Sequence, residues 1–284
     1  MQTADIPGPA TDAVDRALKT QSAASLFLYG FLALAVGLVL VRLVARFFDR
    51  SLPRPPPPRP LHPALLIASV FFVPLSAWLA ARLLGIGKSG AGMDLRGQIA
   101  AESLVTAAFL VFLIAWTARF KQGLPELGVH TRQLGTALLF AVVFYVAFIP
   151  GFLGANSIEY GVWAALGKPM PHQAAVDAFA HDPAVRHDLL VLGGIVLFVP
   201  CFEELAFRGV IQHFLTHWVG SGAGIVLTAI CFTLPHDANR GSVFALGLAL
   251  SWLRARTGNL LAPLCFHVLH NGFTLAMIAS TGGA

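Results

Sequence analysis

Two glutamates, three histidines and an asparagine stand inside apolar runs in the second half of the chain. Glu203 and Glu204 lie in VPCFEELAFRGV, residues 199–210; His236 closes CFTLPH, residues 231–236; His267, His270 and Asn271 lie in CFHVLHNGF, residues 265–273. An ionisable side chain at the centre of a bilayer costs at least about 2.5–3.5 kcal/mol, so each of these residues is a functional candidate. On a helix Glu203 and Glu204 point about 100° apart. Glu204 and Arg208 are one turn apart, where opposite charges pair, and that pairing gives Glu204 a supporting role. Glu203 has no such local partner, which leaves it to act as a general base or a proton carrier. Pro200 is placed to kink the helix just ahead of it.

Phe232 and His236 are one turn apart, and so are His267 and Asn271; His270 flanks the face that the latter pair shares. Gly272 permits close approach of a neighbouring helix. The set suits a water-activating hydrolase. Glu203 takes a proton from water, with His236 as its partner, and a neutral His267 with Asn271 donates hydrogen bonds to the oxyanion of a tetrahedral intermediate. The same groups can also bind zinc, with an open position for water. No HExxH stands in the chain, and ligands drawn from three helices leave the metal question open to spacing alone. Arg208 competes for Glu204 and nothing orients His270 toward the others. The expectation is therefore that no cofactor is required, zinc being the alternative. Cys201, Cys231 and Cys265 form neither a disulfide framework nor a CxxC pattern, and no chemistry is assigned to them.

Helices must bring these residues together. Of 284 residues, 56% are hydrophobic and 12% charged, about half the charge of a soluble domain. The mean hydropathy is +0.73. This excludes an ordinary cytosolic enzyme and a disordered or fibrous chain. The expected fold is all-α, a polytopic integral membrane protein of about eight transmembrane helices with the catalytic core in the last four. The candidate spans are roughly 25–48, 61–86, 98–120, 134–154, 188–212, 222–236, 241–255 and 259–280. The sixth and seventh are short, hence tilted, broken or partly re-entrant.

The expected organisation is a polar tail at 1–24, an accessory four-helix region at 25–155, an extramembrane loop at 156–187 and a catalytic transmembrane core at 188–284. The Pro/Arg-rich segment 51–63, SLPRPPPPRPLHP, reads as a stiff polyproline linker. The net charge of +5 comes from Lys and Arg between apolar runs, which act as topology signals and contacts to anionic lipid, not to nucleic acid. The richer basic loops hold Arg42, Arg46, Arg50, Arg54 and Arg59, then Arg119, Lys121 and Arg132, then Arg254 and Arg256, which places the linker in the cytoplasm.

The motifs EExxxR at Glu203, Glu204 and Arg208, FxxxH at Phe232 and His236, and HxxxN at His267 and Asn271 occur in the order seen in the CPBP intramembrane proteases. That family includes the type II CAAX prenyl endopeptidases and the bacterial Abi and bacteriocin-processing proteins. RTGNL before the last span also resembles the family's connection into its third motif, and the resemblance covers roughly residues 190–275. It implies a water-filled active site among the last four spans and hydrolysis of peptide bonds near the membrane. By position Glu203 matches the catalytic glutamate, His236 its partner, and His267 and Asn271 the oxyanion-binding pair. The family was long described as metalloproteases, although its glutamate mechanism can work without metal.

The expected partners are a membrane-anchored protein or peptide substrate and the lipid bilayer. The expected setting is a bacterial inner membrane or another cellular membrane. Two other classes use similar residues. A proton- or ion-coupled transporter also carries intramembrane Glu and His, but the two halves of this chain show no internal repeat. A non-catalytic membrane binding or immunity protein would use the fold alone.

Overall fold

The computed structural model describes residues 22–52, 61–69, 95–120, 124–171, 176, 179–180, 182–236 and 238–281. These residues are organised as helices, with no strand among them. Helix α1 is Ala23–Phe48, opened by Ser22, whose hydroxyl accepts from the Ser25 amide at 3.2 Å. The other long helices are α2 (Leu95–Phe120), α3 (Leu134–Ala165), α4 (Leu189–Val219), α5 (Ser221–Thr233), α6 (Arg240–Thr257) and α7 (Leu261–Thr281).

Five stretches are long and apolar enough to cross a bilayer: α1, Ile99–Phe120 of α2, α3, α4 and Leu261–Ser280 of α7. The protein is an integral, multi-pass membrane protein. The expected count of eight is not reached among the described residues. Of the expected second span only residues 61–69 are described, helical from 63. The expected sixth span is α5, whose 13 residues reach about 20 Å and fall short of a hydrocarbon core of about 30 Å. The expected seventh is α6, with 18 residues and Arg254 and Arg256 in its last turn. Helix α3 continues through 156–165, where a loop was expected, because its apolar run outlasts the polar Asn156 and Glu159. Most of the linker and the tail before residue 22 lie outside the described residues.

Helices α1 and α3 meet on glycines. A Cβ on Gly154 would stand 2.5 Å from the Leu34 nitrogen and 2.6 Å from the Gly30 oxygen, and one on Gly37 would meet the Gly151 backbone. Small residues let membrane helices approach closely where no hydrophobic effect drives them together. Overpacking typically costs about 1–3 kcal/mol. Gly154→Leu is therefore expected to lower the folded yield and the Tm in detergent. Gly135→Leu on the same helix, with nothing within 4 Å of its Cβ, is the control and leaves both unchanged. Equal Tm for the two variants would contradict the glycine contact.

At one end of the bundle three loops are tied together. Arg256 bonds Asp49 Oδ1 at 2.8 Å and donates to the Leu52 carbonyl at 2.6 Å. Arg254 donates to the Leu127 carbonyl at 3.3 Å. Asn259 donates to the His130 carbonyl at 2.9 Å, while its Oδ1 caps the start of α7 at the Leu261 amide. Gly258, at φ +68°, makes the left-handed turn from α6 into that cap. The α6–α7 connection within RTGNL thus fixes where α7, and with it His267, begins.

Candidate active site

Helix α4 carries both glutamates and is wound in two registers. It opens at Asp188, whose Oδ1 accepts from the Leu190 amide at 2.9 Å. It then contains π segments at Gly194–Phe198 and Glu204–Ile211. Such segments are rare and often mark functional sites. In the first one an i→i+5 donor to the Ile195 carbonyl would be the amide of residue 200, which is proline and has none. Asn271 supplies the missing donor across the helix interface, its Nδ2 lying 2.8 Å from the Ile195 oxygen. Pro200 thereby helps to set the position of Asn271, a consequence different from the kink its sequence position suggested.

The second π segment holds Glu204 and Arg208. Both are almost wholly buried, at 1% exposure each. Glu204 Oε1 accepts from Arg208 Nη1 at 3.0 Å and lies 2.9 Å from His267 Nδ1 on α7. Arg208 also donates to the Gly247 carbonyl on α6 at 3.3 Å, and its guanidinium lies 4.3 Å from the Phe232 ring centre. Phe232 in turn packs 5.1 Å from the His236 ring and 6.0 Å from the His267 ring. Across the His267 ring, Nε2 is 3.6 Å from Glu203 Oε2. Four charged or polar side chains therefore run in sequence, Arg208–Glu204–His267–Glu203, and only the last reaches appreciable exposure, at 18%.

This order fixes the chemistry of His267. A carboxylate paired with arginine accepts hydrogen bonds and donates none, so Nδ1 carries the proton. A neutral His267 then has its lone pair on Nε2. The neutral donor expected from the sequence is incompatible with that tautomer, and donation from Nε2 requires the imidazolium. Glu203 meets His267 from another helix.

Helix α5 follows α4 through Gly220 and reaches about 20 Å. His236 lies just past this short helix, in the turn after Thr233. Its Nδ1 donates to the Phe232 carbonyl at 2.9 Å, which puts the lone pair on Nε2. Glu203, His236, His267 and Asn271 all line one cavity of about 210 Å³, together with Phe232 and Asn239. The four residues predicted for catalysis are thus brought together, with Glu204 and Arg208 behind them. His270 stands between this cavity and a neighbouring apolar one of about 170 Å³, edge-on to Phe152 at 4.5 Å between ring centres.

Residues 185–273, which contain every one of these motif side chains, match the family described as type II CAAX prenyl endopeptidase Rce1-like. This region is similar to that family. A protein of Escherichia coli described as an uncharacterized 24.3 kDa protein is 24% identical over 191 residues, covering 55% of this chain and 86% of that protein. No solved structure matches the chain.

Among the described residues no three His, Cys, Asp or Glu side chains are grouped to hold a metal ion. Within the cavity His267 Nδ1 is committed to Glu204, and Glu204 to Arg208. Glu203, His236 Nε2 and His267 Nε2 remain as donors by type, though they are not grouped to hold an ion.

Proposed function

We propose that the protein is an intramembrane endopeptidase that hydrolyses peptide bonds of membrane-anchored or membrane-associated proteins, with Glu203 as general base. The observation that carries this reading is the Arg208–Glu204–His267–Glu203 sequence of contacts ending at a cavity that His236 and Asn271 also line. Glu203 removes a proton from water, and the oxygen attacks the peptide carbonyl. The lone pair on His236 Nε2 orients that water. His267, held as an imidazolium between two carboxylates, donates from Nε2 to the oxyanion. Asn271 donates the amide N–H that Ile195 does not use. Glu203 then returns the proton to the leaving amine as the carbon–nitrogen bond breaks.

The test compares the membrane proteomes of cells carrying wild type or Glu203→Ala, alongside cleavage of a farnesylated CAAX reporter peptide in proteoliposomes. Membrane-anchored proteins that stay uncleaved only in the variant support the reading. Identical proteomes together with an intact reporter overturn it. Proteoliposome uptake that depends on Glu203, without any cleavage, would favour a transporter.

No step in this scheme passes through a metal. Activity is expected to survive dialysis against a strong chelator, with kcat unchanged. Loss on chelation and recovery with zinc alone would convert Glu203, His236 and His267 into ligands.

A further inference from the structure

Glu159 lies on α3, outside the Rce1-like region, yet it reaches the first turn of α6. Its Oε2 accepts from the Ser242 amide at 3.0 Å and from the Ser242 hydroxyl, also at 3.0 Å. That hydroxyl lies 3.1 Å from Asn156 Oδ1, one turn earlier on α3. Helix α6 needs this contact. Its own cap position, Asn239, sits at φ 54°, ψ 36° and makes no side-chain capping bond. An unsatisfied amide in the first turn is ordinarily met by a side-chain oxygen from the cap residue, and a carboxylate there also suits the helix dipole. Here the oxygen comes from another helix. Gly241 makes room for it, since a Cβ there would already stand 3.0 Å from Glu159 Oε2.

The same turn of α6 holds His236. Arg240 Nε donates to the His236 carbonyl at 2.8 Å, and the Val243 amide donates to the Asn239 carbonyl at 2.9 Å. His236, Asn239 and Ser242 all line the catalytic cavity. We infer that Glu159 is a positioning residue: it fixes the first turn of α6 to α3, and through that turn it holds His236 where the water must be oriented. A carboxylate retained in an apolar helix calls for such a role. The inference rests on the hydrolase reading above.

The test uses Glu159→Ala, Glu159→Gln and Ser242→Ala in the full chain in proteoliposomes with the farnesylated reporter, with rates counted per folded enzyme. Misplacement of a catalytic group by about 1 Å can cost 10²-fold. Glu159→Ala is expected to lower kcat roughly 10- to 100-fold with KM little changed. Glu159→Gln, whose amide oxygen still accepts from Ser242, is expected to restore most of the rate. Backbone amides of 236–243 are expected to exchange with deuterium faster in Glu159→Ala and near the wild-type rate in Glu159→Gln. Wild-type kcat in Glu159→Ala, or unchanged exchange over 236–243, overturns the inference. If Glu159→Ala does not fold, Ser242→Ala decides: a kcat loss of smaller size at constant KM supports the inference, and wild-type kcat overturns it. Should wild type itself leave the reporter intact, the hydrolase reading fails, and the exchange measurement still judges the contact to Glu159.

Discussion

Glu203→Gln is expected to abolish cleavage in a protein that still folds and inserts. Loss of a positioned general base typically costs roughly 10²–10⁴ in rate. Glutamine keeps the volume and the polar end of the side chain but cannot take a proton from water. The change falls on the cavity wall, on the one member of the buried series with appreciable exposure. The buried Glu204–Arg208 pair behind it stays intact, so folded yield and Tm in detergent should match wild type. Single-turnover cleavage of the farnesylated reporter measures the rate. A wild-type rate for Glu203→Gln would remove Glu203 from the mechanism.

The sequence revealed this site because intramembrane charges are costly and so stand out from their background. Glu203, Glu204, His236, His267 and Asn271 were each found that way, and the one-turn spacing of Glu204 and Arg208 gave their pairing directly. What spacing cannot give is contact between helices. The bond from Glu204 to His267 joins residues 63 apart, and nothing in either motif states which ring nitrogen faces which carboxylate. That single contact puts a proton on Nδ1 and leaves Nε2 facing Glu203. Pro200 was visible, but its effect on Asn271 depends on the π register of α4, which local sequence does not announce. Glu159 belongs to no motif and falls where the polar Asn156 predicts a loop, while the apolar residues around it carry α3 on to Ala165. The expected sixth span is the 13-residue α5, and the turn after it carries His236.

Arg208→Met is expected to destabilise the protein strongly, and Arg208→Met combined with Glu204→Gln to restore folding without restoring activity. The side chains of this pair are 0% and 1% exposed. Removing one member of a buried ion pair leaves an uncompensated charge and costs about 3–5 kcal/mol, whereas replacing both removes that charge and is often close to neutral. Methionine fills the space beside Phe232 that the guanidinium now occupies. In the double variant, however, His267 Nδ1 faces a neutral amide in place of a carboxylate. The imidazolium loses the charge that stabilises it, and its donation to the oxyanion weakens. In the Ser-His-Asp triad the corresponding loss of a carboxylate behind histidine costs roughly 10⁴ in kcat, and a loss of that order is expected here. Folded yield and Tm in detergent report the first half of the prediction, and reporter cleavage per folded enzyme the second. A single variant as stable as wild type would show that the pair does not hold α4 together. A double variant that folds and cleaves at the wild-type rate would reduce Glu204 to a structural residue and leave His267 to work without a carboxylate behind it.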